Sequence, residues 1–270
     1  MSLEQTLRIT VTRGLIAAGR NRLVARALRP VFERRPGTCW GVFPTFKEAV
    51  AASPPARALG YDNQEAAGLY RELHASVEPN DYAVAFWLQR RLQPGHRVLD
   101  FGGHVGIKYY ALQTVFPFPQ GVTWIVCDLP ALVTAGRRLA AERGANGLLF
   151  TETLAAVSGV DVFLALGSLQ YLEVPLPQLL REMRALPRFV IVSSAPMSNS
   201  PRYFTLQNIG AAYCPYLIEN RDTVVNGMQA LGYELVRSWS NPEKRCGILG
   251  RRDRSVHGYS SMHFALGSNT

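Results

Sequence analysis

The clearest chemical signature in this chain is one short run, Asp100-Phe101-Gly102-Gly103-His104-Val105-Gly106. It follows the apolar stretch Arg97-Val98-Leu99 and opens directly into a segment of helical character. Glycines at a strand-to-helix turn let a ligand approach the backbone closely and let the helix pack tightly on the strand. A second carboxylate, Asp128, ends the next apolar stretch, Val122-Thr123-Trp124-Ile125-Val126-Cys127. A carboxylate at such a position can accept hydrogen bonds from both hydroxyls of a ribose. A nucleotide-type ligand belongs in the crevice outside the carboxyl ends of these strands.

Spacing narrows the ligand. A dinucleotide fingerprint needs G-x-G-x-x-G to admit a pyrophosphate. Here the glycines run G-G-x-x-G behind Asp100, which would repel a pyrophosphate and suits a ligand bearing positive charge. No Gly-Lys-Ser/Thr follows the loop, so the phosphate-cradling P-loop pattern is absent. S-adenosyl-L-methionine carries a sulfonium and an ammonium and no phosphate, which matches the loop. Methyl transfer from a sulfonium rests largely on proximity and alignment, and a hydroxyl acceptor also benefits from a general base, most often His or a carboxylate. His104, within the loop, is the first candidate for that base. Asp81 and Tyr171 are further catalytic candidates, although an N-cap role explains Asp81 equally well.

The elements that must position these groups follow from the apolar pattern. From residue 97 short apolar strands alternate with helices: strands over 97–101, 122–128, 148–150, 160–166 and 189–193, and helices over 105–115, 130–143 and 175–185. Near-continuous apolar strands alternating with helices predict a parallel sheet buried on both faces. Tyr233–Trp239 and Gly247–Arg251 read as a closing hairpin, because the short link Ser240-Asn241-Pro242-Glu243-Lys244-Arg245 cannot hold a crossover helix, so the last strand is expected to be antiparallel. Upstream, Thr45 is the expected N-cap of a helix over 46–52. Gly60-Tyr61-Asp62-Asn63 reads as a turn, and helices are expected over 64–75 and 82–93. The expected fold class is α/β, a Rossmann-like, mostly parallel sheet with a helical N-terminal extension. The expected division is a helical extension over 1–95, a catalytic domain over 96–252 and a tail over 253–270.

Composition excludes several classes. The chain has 270 residues, 47% of them hydrophobic, and a formal net charge of +9. Its longest apolar runs fall short of the ~18 residues that span a bilayer. Cys39, Cys127, Cys214 and Cys246 lie far apart without a CxxC pair, so neither a zinc site nor a disulfide framework is expected and no metal is assigned. The charge is concentrated at two places. Residues 1–36 hold eight arginines and two glutamates, and residues 237–254 hold six basic and two acidic residues, so the remainder is near neutral. Within 1–36, Leu3, Leu7, Val11 and Leu15 recur every four residues, as in a basic amphipathic helix. Such a helix either lies peripherally on an anionic membrane face or packs on its own domain with a solvated arginine face. Nucleic acid is disfavoured as a partner, because the basic ends lie outside the expected catalytic core and no recognition motif is present. A homodimer is compatible with the sequence, and the expected location is cytoplasmic.

The run Val98-Leu99-Asp100-Phe101-Gly102-Gly103 through Gly106, then Tyr110, resembles the first motif of class I S-adenosylmethionine-dependent methyltransferases. More narrowly, the chain is similar to a little-characterised bacterial family of methyltransferases associated with surface-polysaccharide gene clusters. The segments that carry this are Trp40-Gly41-Val42-Phe43 with Phe46 and Ala49, Gly60-Tyr61-Asp62, Asp81, Leu169-Gln170-Tyr171-Leu172-Glu173, Thr205-Leu206-Gln207 and Tyr213-Cys214-Pro215. The likeness covers roughly residues 38–252. It departs from the family at His104, where Ser is usual, at Asp128, where Glu is common, and at Ser193-Ser194-Ala195-Pro196, where Asp-Arg-Thr-Pro is frequent. The resemblance implies that Asp100, Gly102, Gly103 and Gly106 line the methionine moiety of the donor. It also implies that Asp128 holds the ribose, Leu129 lies beside the adenine, and Thr151 and Glu152 reach the adenine edge. Gly167, Ser168 and Leu169 would close over the donor. Tyr213 and Tyr216 read as a lid or acceptor wall. Tyr171 and Glu173 lie on the acceptor side, where core packing and helix capping account for them as well. His257 and His263 fall in the expected tail and are given no catalytic role.

The activity so implied is O-methylation of a carbohydrate-like or small natural-product acceptor, releasing S-adenosyl-L-homocysteine. The alternatives are a nucleic-acid methyltransferase and a non-catalytic donor-binding module. A nicotinamide dehydrogenase is disfavoured by the glycine spacing.

Overall fold

The computed structural model describes residues 22–60 and 77–267. Residues 1–21 of the expected basic helix, the turn residues 61–63, the helix expected over 64–75 and the last three residues of the tail lie outside the described residues. In chain order the strands are β1 (Cys39–Phe43), β2 (Ala58–Leu59), β3 (Arg97–Phe101), β4 (Thr123–Cys127), β5 (Leu148–Thr151), β6 (Val162–Leu166) and β7 (Phe189–Ala195), then β8 (Met197–Ser198), β9 (Tyr203–Asn208), β10 (Ala212–Asn220), β11 (Tyr233–Cys246), β12 (Ile248–Leu249) and β13 (Val256–Leu266). They sort into two compact units interleaved along the chain, one drawing on Pro196–Asn220 and Pro242–Tyr259 together with the N-terminal segment, the other on Asp62–Ala195, Arg221–Asn241 and the C-terminal segment.

The second unit carries the alternating strands and helices. Its sheet has the order β11-β13-β7-β6-β3-β4-β5. β3, β4, β5, β6 and β7 are mutually parallel, and β13 runs antiparallel to β7. Val98, Trp124, Val126, Val162, Leu164 and Ile191 form its core, as expected for strands covered on both faces. Helices Asp81–Arg91, Ile107–Gln113, Pro130–Glu142, Leu176–Arg181 and Arg221–Gln229 belong to the same unit. The chain runs outward from β3 through β4 to β5, then returns to the other side of β3 as β6. That reversal is the switch point at which doubly wound sheets bind ligands.

The first unit is not the all-helical extension expected for 1–95. Its sheet has the order β12-β1-β9-β10-β2, with β8 against β10. β9 and β10 pair antiparallel over six registers, from Tyr213↔Asn208 to Ile218↔Tyr203. Phe32, Trp40, Phe204, Leu206, Tyr213, Leu217 and Leu249 make its core. The described part of the N-terminal helix is two short helices, Arg22–Ala27 and Arg29–Arg34. Phe32 is fully buried, and Asn208 Nδ2 donates to the Phe32 carbonyl at 2.7 Å. Thr45 caps the helix Phe46–Ala51 as expected, its hydroxyl accepting from Glu48 N–H at 3.2 Å.

The closing hairpin is also corrected. Ile248–Leu249 pairs parallel with β1 in the first unit, and the antiparallel last strand is β13, within the supposed tail. Polar residues dilute its apolar pattern, yet Ser261, Met262, His263 and Phe264 are all fully buried. A strand covered on both faces shows no period-two alternation.

Candidate functional site

The second unit brings most of the expected donor residues to one edge of its sheet. β3 ends at Phe101, β4 at Cys127 next to Asp128, β5 at Thr151, and β6 at Leu166 next to Gly167. All four are parallel, so their carboxyl ends share one side. Gly102 and Gly106 adopt φ values of 70° and 89°, a left-handed region that glycine enters without steric cost. The loop is also spatially closed to larger residues. A Cβ on Gly102 would lie 2.3 Å from Ser168 Cβ, and one on Gly103 would lie 2.5 Å from Asp100 Oδ2. Ser168 Oγ donates to the Phe101 carbonyl at 2.6 Å, tying the loop after β6 to the end of β3 across the switch point.

The electrostatics centre on Asp100. It is almost fully buried, and Trp124 Nε1 donates to its Oδ2 at 3.1 Å. Burial lifts its carboxyl from 3.8 to about 7, with Asp128 adding to the rise and the Trp124 hydrogen bond and Lys108 opposing it. Asp128 is half-buried. Its Oδ2 accepts the His104 backbone N–H and its Oδ1 the Leu129 backbone N–H, both at 2.7 Å. Burial raises its pKa against those two bonds. Asp128 therefore anchors the glycine loop. Leu129 is 37% exposed beside it, a flat apolar surface suited to a base. Thr151 accepts from Thr153 N–H at 3.4 Å, and Glu152 is exposed. Leu169 is buried at the start of a short 3₁₀ turn, Leu169–Tyr171; Tyr171 is half-buried, and Glu173 is exposed.

His104 and Ser194 are the two non-glycine residues of positive φ among the described residues, at 57° and 56°. Both stand at this same edge, Ser193 being level with Leu166 in the β6–β7 ladder. Strained backbone clusters at functional sites. Ser194 belongs to a polar network absent from the sequence reading. Trp239 Nε1 donates to Asn80 Oδ1 at 3.0 Å, which turns the Asn80 amide N–H groups toward the Ser193 and Ser194 hydroxyls. Asn241 Nδ2 also donates to Ser194 Oγ, at 3.1 Å. With two donors converging on its oxygen, the Ser194 hydroxyl is left to act as a donor.

Asp81 is corrected as an N-cap. Asn80 occupies that position, and Asp81 is the first helical residue. Its Oδ2 accepts the Glu78 N–H at 2.9 Å and Lys108 Nζ at 2.8 Å. Tyr213 and Tyr216, expected as a lid or acceptor wall, lie in the core of the first unit instead. They are 1% and 2% exposed within the first unit, where the Tyr216 and Tyr259 hydroxyls bond at 2.8 Å. His263 is fully buried against Trp87, with ring centroids 4.5 Å apart. Burial and Arg91 lower its pKa to about 4, so it is a neutral core histidine near neutrality.

A glycine cradle closed to side chains and two carboxylates fit S-adenosyl-L-methionine. Parallel strands with an antiparallel last strand define the class I, Rossmann-like methyltransferase fold, and solved structures of such enzymes share it. One is magnesium protoporphyrin IX methyltransferase from Synechocystis PCC 6803 with S-adenosylhomocysteine bound, at a TM-score of 0.53 and 16% identity, covering 77% of this chain and 96% of that one. The same enzyme with S-adenosylmethionine bound gives a TM-score of 0.51 at 16% identity, covering 77% and 94%. No family model matches this chain, and none of the curated proteins matches its sequence. Among the described residues no helix is long and apolar enough to cross a membrane.

Proposed function

We propose that this chain is an S-adenosyl-L-methionine-dependent methyltransferase that methylates an oxygen of a small, carbohydrate-like or natural-product acceptor. The observation that carries the reading is the buried Asp100 beneath a side-chain-excluding glycine loop, with Asp128 at the end of the neighbouring strand. When bound, the donor supplies an electrophilic methyl group on a sulfonium. Asp100 offers negative charge to the donor's cationic end, and Asp128 offers carboxylate oxygens to a ribose. Leu129, Thr151 and Glu152 border the place for the base, and Gly167, Ser168 and Leu169 close the other side of the switch point.

On the acceptor side the polar network around Ser194 supports an oxygen-bearing substrate. The Ser194 hydroxyl oxygen receives N–H groups of Asn80 and Asn241, which leaves the O–H to donate to an acceptor oxygen. His104, in the glycine loop, would take the proton that an acceptor hydroxyl gives up on methylation. The likeness to a polysaccharide-associated family supports a sugar.

Calorimetry with S-adenosylhomocysteine tests the donor half. Saturable binding to folded protein is expected, and its absence ends the reading. Transfer of labelled methyl groups from S-adenosylmethionine to a panel of sugars, sugar nucleotides and RNA tests the acceptor half. Label appearing on RNA and not on sugars would replace the acceptor class while leaving the donor in place.

A further inference from the structure

The cradle has a charge problem. The donor ends in an amino acid, so it presents an ammonium and a carboxylate together. Asp100 and Asp128 suit its positive groups and repel the carboxylate. A cation is needed beside the loop. Lys108 is one of three lysines among the 29 basic residues of the chain. It stands two residues beyond Gly106, in the first turn of the helix that the loop opens. Its side chain is 18% exposed, and its charge is felt at Asp100, where it favours the ionised form.

Asp81 holds this lysine in place. Lys108 Nζ lies 2.8 Å from Asp81 Oδ2, and Asp81 is itself fixed by the Glu78 N–H at 2.9 Å. An ammonium has three donors. Asp81 takes one of them, and the partly exposed side leaves room for an anion. A buried ion pair contributes little net stability against a well-packed apolar pair. Ordering a long lysine chain in advance removes an entropic cost from ligand binding. Both points suit a lysine kept for a ligand.

We propose that Lys108, positioned by Asp81, binds the carboxylate at the methionine end of the donor. This rests on the methyl-donor reading above. The test compares two ligands by calorimetry at one fixed pH, so that both meet Asp100 under the same conditions. One is S-adenosylhomocysteine, which has the carboxylate; the other is decarboxylated S-adenosylmethionine, which lacks it. Lys108→Met is expected to weaken S-adenosylhomocysteine by about tenfold or more, the usual scale for a lost charge-assisted hydrogen bond. The affinity for the decarboxylated compound is expected to stay within about twofold, and Lys108→Arg to retain most of the binding.

Because Lys108→Met leaves Asp81 buried without its partner, Asp81→Asn/Lys108→Met is measured alongside, with thermal unfolding to establish that each variant folds. The double variant is expected to lose S-adenosylhomocysteine affinity selectively as well. Equal weakening of both ligands, or of neither, overturns the proposal. Wild-type protein that binds neither ligand overturns the methyl-donor reading itself, and this proposal with it.

Discussion

The two units use similar polar residues to opposite ends. In the first unit most buried polar groups close on one another, Glu219 excepted, whose carboxyl pKa is raised by burial. Tyr216 bonds Tyr259, Thr205 Oγ1 donates to the Trp40 carbonyl at 3.1 Å, and Asn208 joins Arg57 to the Phe32 carbonyl. Tyr203 donates to the Arg254 carbonyl. In the second unit the polar groups at the carboxyl edge are left in tension. Asp100 is shifted to about 7, and His104 and Ser194 hold left-handed backbone conformations. Residue type alone does not separate scaffold from site: tyrosines read as an acceptor wall are core, and a serine pair read as a departure is part of the edge. What separates the two, among the described residues, is the strained non-glycine backbone at His104 and Ser194, beside the shifted carboxyl of Asp100.

The largest effect expected from breaking this contrast is in the first unit. Tyr213→Ala empties a site that is 1% exposed, with its ring 5.1 Å from that of Phe32. Truncating a buried aromatic costs about 3–5 kcal/mol. A large drop in melting temperature is expected, with unchanged S-adenosylhomocysteine affinity for the molecules that remain folded. Unchanged stability with lost affinity would place Tyr213 with the site and erase the contrast.

Next is Gly103→Ala. The new Cβ would fall 2.5 Å from Asp100 Oδ2 and 2.6 Å from its Cγ. The carboxyl must move, and moving it breaks the Trp124 hydrogen bond. S-adenosylhomocysteine affinity should fall by about 100-fold, which corresponds to about 2.7 kcal/mol. Stability is expected to fall by about 1–3 kcal/mol, because the buried Trp124 indole N–H loses its partner, less than for Tyr213→Ala. Calorimetry paired with a melting curve reads both.

What the sequence made legible follows the same division. The strands from β3 to β7 are continuous apolar runs, and the loop after β3 is marked by its glycines, so local pattern sufficed for these strands and for the placement of Asp100, Gly102, Gly103, Gly106 and Asp128 at their carboxyl ends. The first unit was hidden because β1 pairs with β9 and β12, more than 150 residues distant in sequence. No local periodicity reports such pairing. β13 was hidden by its serines and histidines. The support of the site was hidden for a related reason. Trp124 reads as a core residue of an apolar strand, and nothing at that position announces a hydrogen bond to Asp100. Asn80 meets Ser193 and Ser194 across 113 and 114 residues of chain. Nothing in the sequence singles out Lys108, whose partner Asp81 lies 27 residues away along the chain.

The smallest expected effect sharpens the contrast through pH. Asp100 has its pKa raised from 3.8 to about 7 in the folded protein. Between those values the folded chain keeps a proton that the unfolded chain has lost. The contribution of this group to stability is therefore complete below about pH 4 and declines as pH rises toward 7. Binding runs the other way. A ligand carrying positive charge favours ionised Asp100, so affinity for S-adenosylmethionine should rise with pH and level off above about 7. Asp100→Asn should flatten the profile. Trp124→Phe removes the indole N–H that favours the ionised carboxyl, at 3.1 Å from Oδ2. Its profile should keep the same shape with the midpoint displaced upward by a fraction of a pH unit, about 1 kcal/mol or less. A midpoint that stays in place or moves down would mean that Trp124 packs beside Asp100 without tuning it, and the edge would then owe its perturbed charge to burial and to Asp128 alone.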